Sequence, residues 1–115
     1  MRKIIAVMLL ASLMCSPVTA QTKVVSASWY KHGEVTANGE RFNPDGLTVA
    51  HKNFPFGTIL KLTRNGKVAI VRVNDRGPFV KGRTLDLSKG AATVLDCIDL
   101  GVCDVHMEVL HTPTT

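Results

Sequence analysis

The chain has 115 residues, 45% of them hydrophobic, with 14 basic residues set against nine acidic ones. That length predicts a single small core and excludes a second domain within this sequence. The mild positive balance reads first as plain solubility and second as attraction to a polyanionic envelope, and it lacks the concentrated basic stripe that nucleic-acid binding requires.

In chain order, Arg2 and Lys3 precede an apolar run over 4–14, and Pro17, Val18, Thr19 and Ala20 follow it. This is the pattern of a secretory signal peptide, 1–20, cleaved after Ala20 to leave a domain over 21–115. The run is shorter than the roughly 20 residues that span a bilayer, so no stable membrane insertion is expected. Cleavage removes Arg2 and Lys3 and no acid, leaving 12 basic residues against nine acidic ones, a balance of +3. Cys15 raises lipid attachment as an alternative, but Met14 stands where a lipoprotein site wants a small residue. An exported protein of the periplasm or the extracellular space is therefore expected ahead of an outer-membrane lipoprotein.

The stretch 23–30, with Val24, Val25, Ala27 and Trp29, reads as a strand, as does 58–63 around Ile59 and Leu60. Asn65-Gly66 separates 59–63 from the apolar run 68–73 and tolerates the positive φ of a tight turn, which predicts a β-hairpin. Two more short strands are expected over 84–87 and 104–110, the latter with Val105, Met107 and Val109 on one face. Between them Ser88 caps a helix whose Ala91, Ala92, Val94 and Leu95 form an apolar stripe, and Gly101 turns the chain back. The segment 33–57, rich in Gly, Asn, Pro and Asp, reads as a long ordered loop of the kind that carries function. Short strands dominate, as in a small, mainly β barrel.

Cys97 and Cys103, an even pair in an oxidising compartment, predict a local disulfide, with free buried thiols as the competing reading. Two thiols without a nearby histidine pair make no four-ligand zinc site, and no metal or other cofactor is expected.

Four polar clusters fall in or beside loops: 36–42, 50–52, 73–79 and 85–88. Asp75 ends the apolar strand beside Arg76, Gly77 and Pro78, a position that suits a site carboxyl and equally an ordinary turn-initiating aspartate. Asp86 lies between Leu85 and Leu87, so alternation turns it away from the buried face, towards a cleft or solvent. The competing role for Asp86 is an acceptor at the start of the following helix. His51 alone fits a hydrogen-bonding scaffold better than a metal ligand, and Glu40 with Arg41 reads first as a solvated pair. Trp29, Tyr30, Phe42 and Phe79 flank the clusters. Trp29 and Phe42 suit the core, whereas Tyr30, at the end of its strand, suits contact with the apolar face of a sugar ring.

In this order, Ala27-Ser28-Trp29-Tyr30, Thr36-Ala37-Asn38-Gly39-Glu40-Arg41-Phe42, Thr48-Val49-Ala50-His51-Lys52, Pro55-Phe56-Gly57-Thr58, Val71 to Phe79 and Gly82 to Ser88 resemble the rare lipoprotein A family over about 25–110. The resemblance implies a six-stranded double-psi β-barrel with one or two short helices. It also implies lytic transglycosylase activity on peptidoglycan glycan strands, preferring strands stripped of stem peptides. It places Glu40, His51 and Asp75 on positions associated with activity, and matches Asp86 to the acid of related glycan-cleaving barrels. An Asp75 and Asp86 site follows, with Glu40 and His51 orienting the acid. Tyr30, Asn38, Arg41, Arg76 and Arg83 are expected to bind substrate, one of the last two through the muramic lactyl group. Arg beside Asp also lowers an acid's pKa, so the sequence does not choose between the two aspartates.

Two other classes compete: a non-catalytic, expansin-like glycan-binding or wall-loosening module, and a secreted inhibitor or partner-binding protein on the same scaffold. The peptidoglycan-binding repeat domain of many relatives is not found in this sequence, and a monomer is expected.

Overall fold

The computed structural model describes residues 22–114; the expected signal peptide and Cys15 lie outside them. Six strands, β1 (Thr22–Tyr30), β2 (Thr48–Ala50), β3 (Ile59–Arg64), β4 (Lys67–Asp75), β5 (Leu85–Ser88) and β6 (Val102–His111), close a barrel in the order β1-β5-β2-β4-β3-β6. One helix, α1 (Lys89–Val94), lies between β5 and β6. The β1–β5 and β2–β4 pairs are parallel and the other four antiparallel. Exchanging β1 with β4, β2 with β5 and β3 with β6 leaves every pairing unchanged. The chain thus builds the double-psi β-barrel from two interlocked halves of similar plan.

Alternation creates the core. Ala27, Val49, Leu60, Leu62, Val71, Val73, Leu85, Leu87 and Val105 all point inward and are at most 2% exposed, each valine or leucine stabilising the fold by about 1.5–3 kcal/mol. Asn65 (φ 49°) and Gly66 (φ 79°) form the expected two-residue turn, with Arg64 paired to Lys67.

The segment 33–57 differs from the expectation of a loop, because Thr48–Ala50 forms β2 between β5 and β4 and Val35 bridges Arg41. Three residues are too few to show alternation. Their strand state comes from partners supplied by distant chain.

The Ser88 hydroxyl caps α1 by accepting from Ala91 N at 3.2 Å, as expected, while Arg64 Nη1 donates to Leu95 O and Asp96 O at the other end. Cys97 and Cys103 form the expected disulfide with Cα atoms 5.9 Å apart, tying the turn after α1 to β6. The loop is short, so chain entropy assigns the bridge about 2 kcal/mol. Replacing both cysteines with alanine is expected to lower the urea unfolding free energy by that amount, and no change would show that packing alone holds the turn.

Candidate active site

The register of three strands decides where the acids stand. Ala50 of β2 pairs with Asp86 of β5 on one side and Asp75 of β4 on the other, and Ser28 of β1 pairs with Asp86. Ser28, Asp86, Ala50 and Asp75 therefore form one row across four neighbouring strands. Two inter-strand spacings put the aspartate Cα atoms about 10 Å apart.

Asp86 faces outward because Leu85 and Leu87 face the core. Asp75 needs a further device. A register shift between Val49 and Ala50 sets Asn74 and Asp75 together against β2, a bulge that turns both side chains outward although they are consecutive. Ala50, between the two aspartates, is itself buried at 2% exposure.

Their environments differ. Asp75 accepts from Tyr30 Oη at 3.0 Å, from Ala37 N at 2.9 Å and from its neighbour Arg76 N at 2.9 Å. Asp86 accepts from Ser28 Oγ at 3.0 Å. Burial pushes the Asp86 carboxyl above the ordinary aspartate range, and the charge of Asp75 adds to the rise, against the hydrogen bond from Ser28 and the positive charge of Arg83. Tyr30 is raised too, first by burial and then by Asp75, with Asp86 contributing. The tyrosine thus stays a neutral donor within the field of both acids.

The remaining expected site residues divide. Tyr30 lies at the row, stacked on Phe42 with ring centroids 4.6 Å apart, and its hydroxyl serves Asp75. Arg83 lies close enough for its charge to act on Asp86. Arg41 is exposed at the rim of a hollow of about 250 Å³ that Glu40, Thr48, Arg72 and Asn74 also line. Asn38 accepts from Thr36 Oγ1 at 2.6 Å and Glu40 N at 3.1 Å, which shapes its own loop. Arg76 donates from Nη1 to His51 O and Phe54 O and lies 3.9 Å over the Phe56 ring, so it clamps the loop after β2.

Glu40 and His51 adjoin β4 without bonding to an acid side chain: Glu40 bonds to Asn74, next to Asp75, and His51 N donates to Asp75 O at 3.2 Å. Glu40 Oε1 accepts from Arg72 Nη1 at 2.9 Å and Asn74 Nδ2 at 3.0 Å, bonds that hold its carboxyl down at about 2. His51 Nδ1 accepts from Asn53 N and Phe54 N, its ring stacks on Phe54, and it lines a different hollow of about 490 Å³ with Lys23, Val25 and Met107. Burial lowers the His51 pKa, as do the charges of Arg76 and Lys52. Among the described residues neither Glu40 nor His51 bonds to the carboxyl of Asp75 or Asp86, so orientation of the acids falls to Ser28, Tyr30 and two backbone amides. Trp29 donates from Nε1 to Ile98 O and packs on the core, and Phe42 is buried, as expected.

Ser28, Ala50, Arg72 and Asn74 were not singled out by sequence reasoning. Arg72 carried a signal, a lone cation inside an apolar strand, whereas Ser28 and Ala50 gain meaning only through register.

A closed double-psi barrel carrying two outward aspartates in one row is the class of protein these observations define. The family model described as lytic transglycolase matches residues 22–107, and the chain belongs to that family. A probable endolytic peptidoglycan transglycosylase RlpA from a Nostoc species is 53% identical over 91 residues, 73% of this chain and 24% of the relative. The chain thus spans about a quarter of that curated relative's length. Among solved structures, a Streptomyces papain inhibitor superposes with a TM-score of 0.68 at 20% identity, covering 83% of this chain and all of that one. The apo expansin of Clavibacter michiganensis gives 0.66 at 20% identity, covering 83% of this chain and 53% of that one. Both share the fold.

Proposed function

We propose that this domain is an exported endolytic lytic transglycosylase that cleaves the bond between N-acetylmuramic acid and N-acetylglucosamine in peptidoglycan strands stripped of stem peptides. The observation that carries the proposal is the outward row in which Ala50 separates Asp75 from Asp86, with Asp86 raised by burial. The family match and the relative's name support the substrate.

The two environments assign the roles. Asp86, the acid whose proton is held above the ordinary range, donates it to the bridging oxygen, and the C1–O bond breaks with N-acetylglucosamine leaving as an alcohol. The muramic 6-hydroxyl oxygen attacks C1 and closes a 1,6-anhydro ring, and its proton passes to the Asp86 carboxylate, which restores the acid. Asp75, fixed by three donors, faces the positive charge that develops at C1. The nucleophile belongs to the substrate, so no water has to be positioned between the carboxyls.

Digestion of denuded glycan strands, read by mass spectrometry, tests the reading: 1,6-anhydromuramoyl ends are expected. Reducing ends would mean hydrolysis, and binding without release would mean an expansin-like module.

A pH profile follows from the same assignment. The proton donor is competent only while protonated, so the rate is expected to fall as pH rises through the raised pKa of Asp86. Ser28→Ala removes the bond that favours the carboxylate, so the falling limb should move to higher pH. A limb that stays in place would remove Asp86 from the role of donor.

A further inference from the structure

The segment 76–84 runs from the end of β4 to the start of β5, and so from Asp75 to Asp86 past the end of β2 between them. Its middle carries Phe79, 82% exposed, followed by Val80, 51% exposed. Among the described residues Phe79 is the most exposed of the large hydrophobic side chains. A single exposed apolar side chain needs no explanation, but an aromatic ring displayed on the loop that joins two acids is a different observation.

The ring lies beside the backbone of Gly77. Gly77 has a φ of 122°, open to glycine and strained for other residues, and a Cβ placed on it would lie 3.4 Å from the Phe79 ring. The ring thus leans on bare backbone, while Arg83 N donates to Val80 O and closes the following turn. Arg76, Lys81 and Arg83 lie on the same segment, which contains no acid.

We propose that Phe79 is a stacking platform for a pyranose ring of the glycan strand, set beside the Asp75 and Asp86 row; this rests on the reading of the site given above. The axial C–H bonds of a pyranose form an apolar face with slight positive charge, which packs against the negative face of an aromatic ring. The cations Lys81 and Arg83 favour a sugar bearing a carboxylate, and in a denuded strand that sugar is the muramoyl residue with its lactyl group. Phe79 then acts by fixing the sugar adjacent to the acids, with no part in proton transfer.

Steady-state cleavage of denuded strands tests this directly. Phe79→Ala is expected to raise KM about tenfold while kcat stays within about twofold. Phe79→Trp should restore KM, and the urea midpoint of the alanine variant should match wild type because the ring is exposed. An unchanged KM, or a failure of tryptophan to restore it, would overturn the proposal. Cosedimentation with insoluble denuded glycan reads the platform without turnover: weaker retention of Phe79→Ala supports it, and equal retention sinks it. Vesicles of anionic phospholipid form a further arm, since vesicle binding lost in Phe79→Ala with glycan retention intact would make the loop a membrane contact. A wild type that retains glycan through Phe79 yet cleaves nothing would remove the transglycosylase reading and leave the platform standing.

Discussion

Asp86→Asn is expected to slow release of anhydromuramoyl ends by about 10²–10⁴-fold, the range that general acid–base catalysis supplies, and at the same time to stabilise the fold at neutral pH. The two effects share one cause. A carboxyl whose pKa is raised in the folded state binds its proton more tightly there than in the unfolded chain. Its contribution to stability is present below the unfolded pKa and is lost as pH rises through the folded one. At neutral pH the ionised group is therefore a net cost, which the isosteric amide removes while still accepting from Ser28. Urea titrations at pH 7 and at a pH below the aspartate range should show a gain at the first that vanishes at the second, and product analysis should show the loss of turnover. Full activity in the variant, or destabilisation at pH 7, would sink the assignment of Asp86 as the donor. Asp75→Asn separates the roles. It places an amide where Tyr30 Oη, Ala37 N and Arg76 N all donate, so it should reduce both activity and order in the loop at Ala37.

How much of this was legible follows from which contacts are local. The hairpin at Asn65-Gly66, the Ser88 cap and the outward turn of Asp86 rest on neighbours in sequence, and the chain states them directly. The family resemblance supplied the barrel and both aspartates. Strand β2 was not legible, because Thr48–Ala50 owes its state to pairing with β4 and β5, through partners such as Arg72 and Leu87 that are distant in sequence. The bulge that brings Asp75 outward is likewise a property of that pairing. The partners of Glu40 are also not local in sequence. The resemblance places Glu40 and His51 on positions associated with activity, but which partners they take, Arg72 and Asn74 for one and the backbone of 53–54 for the other, is set by the fold.

Gly90→Ala pits local propensity against tertiary contact, and contact is expected to win. Within α1 alanine is favoured over glycine by about 1 kcal/mol. A Cβ on Gly90, however, would lie 2.5 Å from Asp45 O and 2.8 Å from both Asp45 C and Gly46 O, all of them backbone atoms. No rotamer change relieves that overlap, so helix and loop must part. The loop has little room to yield, because Gly90 N donates to Pro44 O, Ser88 Oγ donates to Gly46 O at 2.6 Å, and Thr48 N donates to Ser88 Oγ. Overpacking of this kind costs about 1–3 kcal/mol beyond the propensity it overrides, and the urea midpoint should fall accordingly. Thr48 also opens β2, whose Ala50 sets the separation of Asp75 and Asp86. Activity at a temperature where the variant remains folded should therefore drop as well. Lys89→Ala, one residue earlier on an exposed position, supplies the control and should change neither. If Gly90→Ala were as stable as wild type with undiminished turnover, the close seating of α1 on 44–46 would have no part in fixing β2, and the row of acids would depend on strand pairing alone.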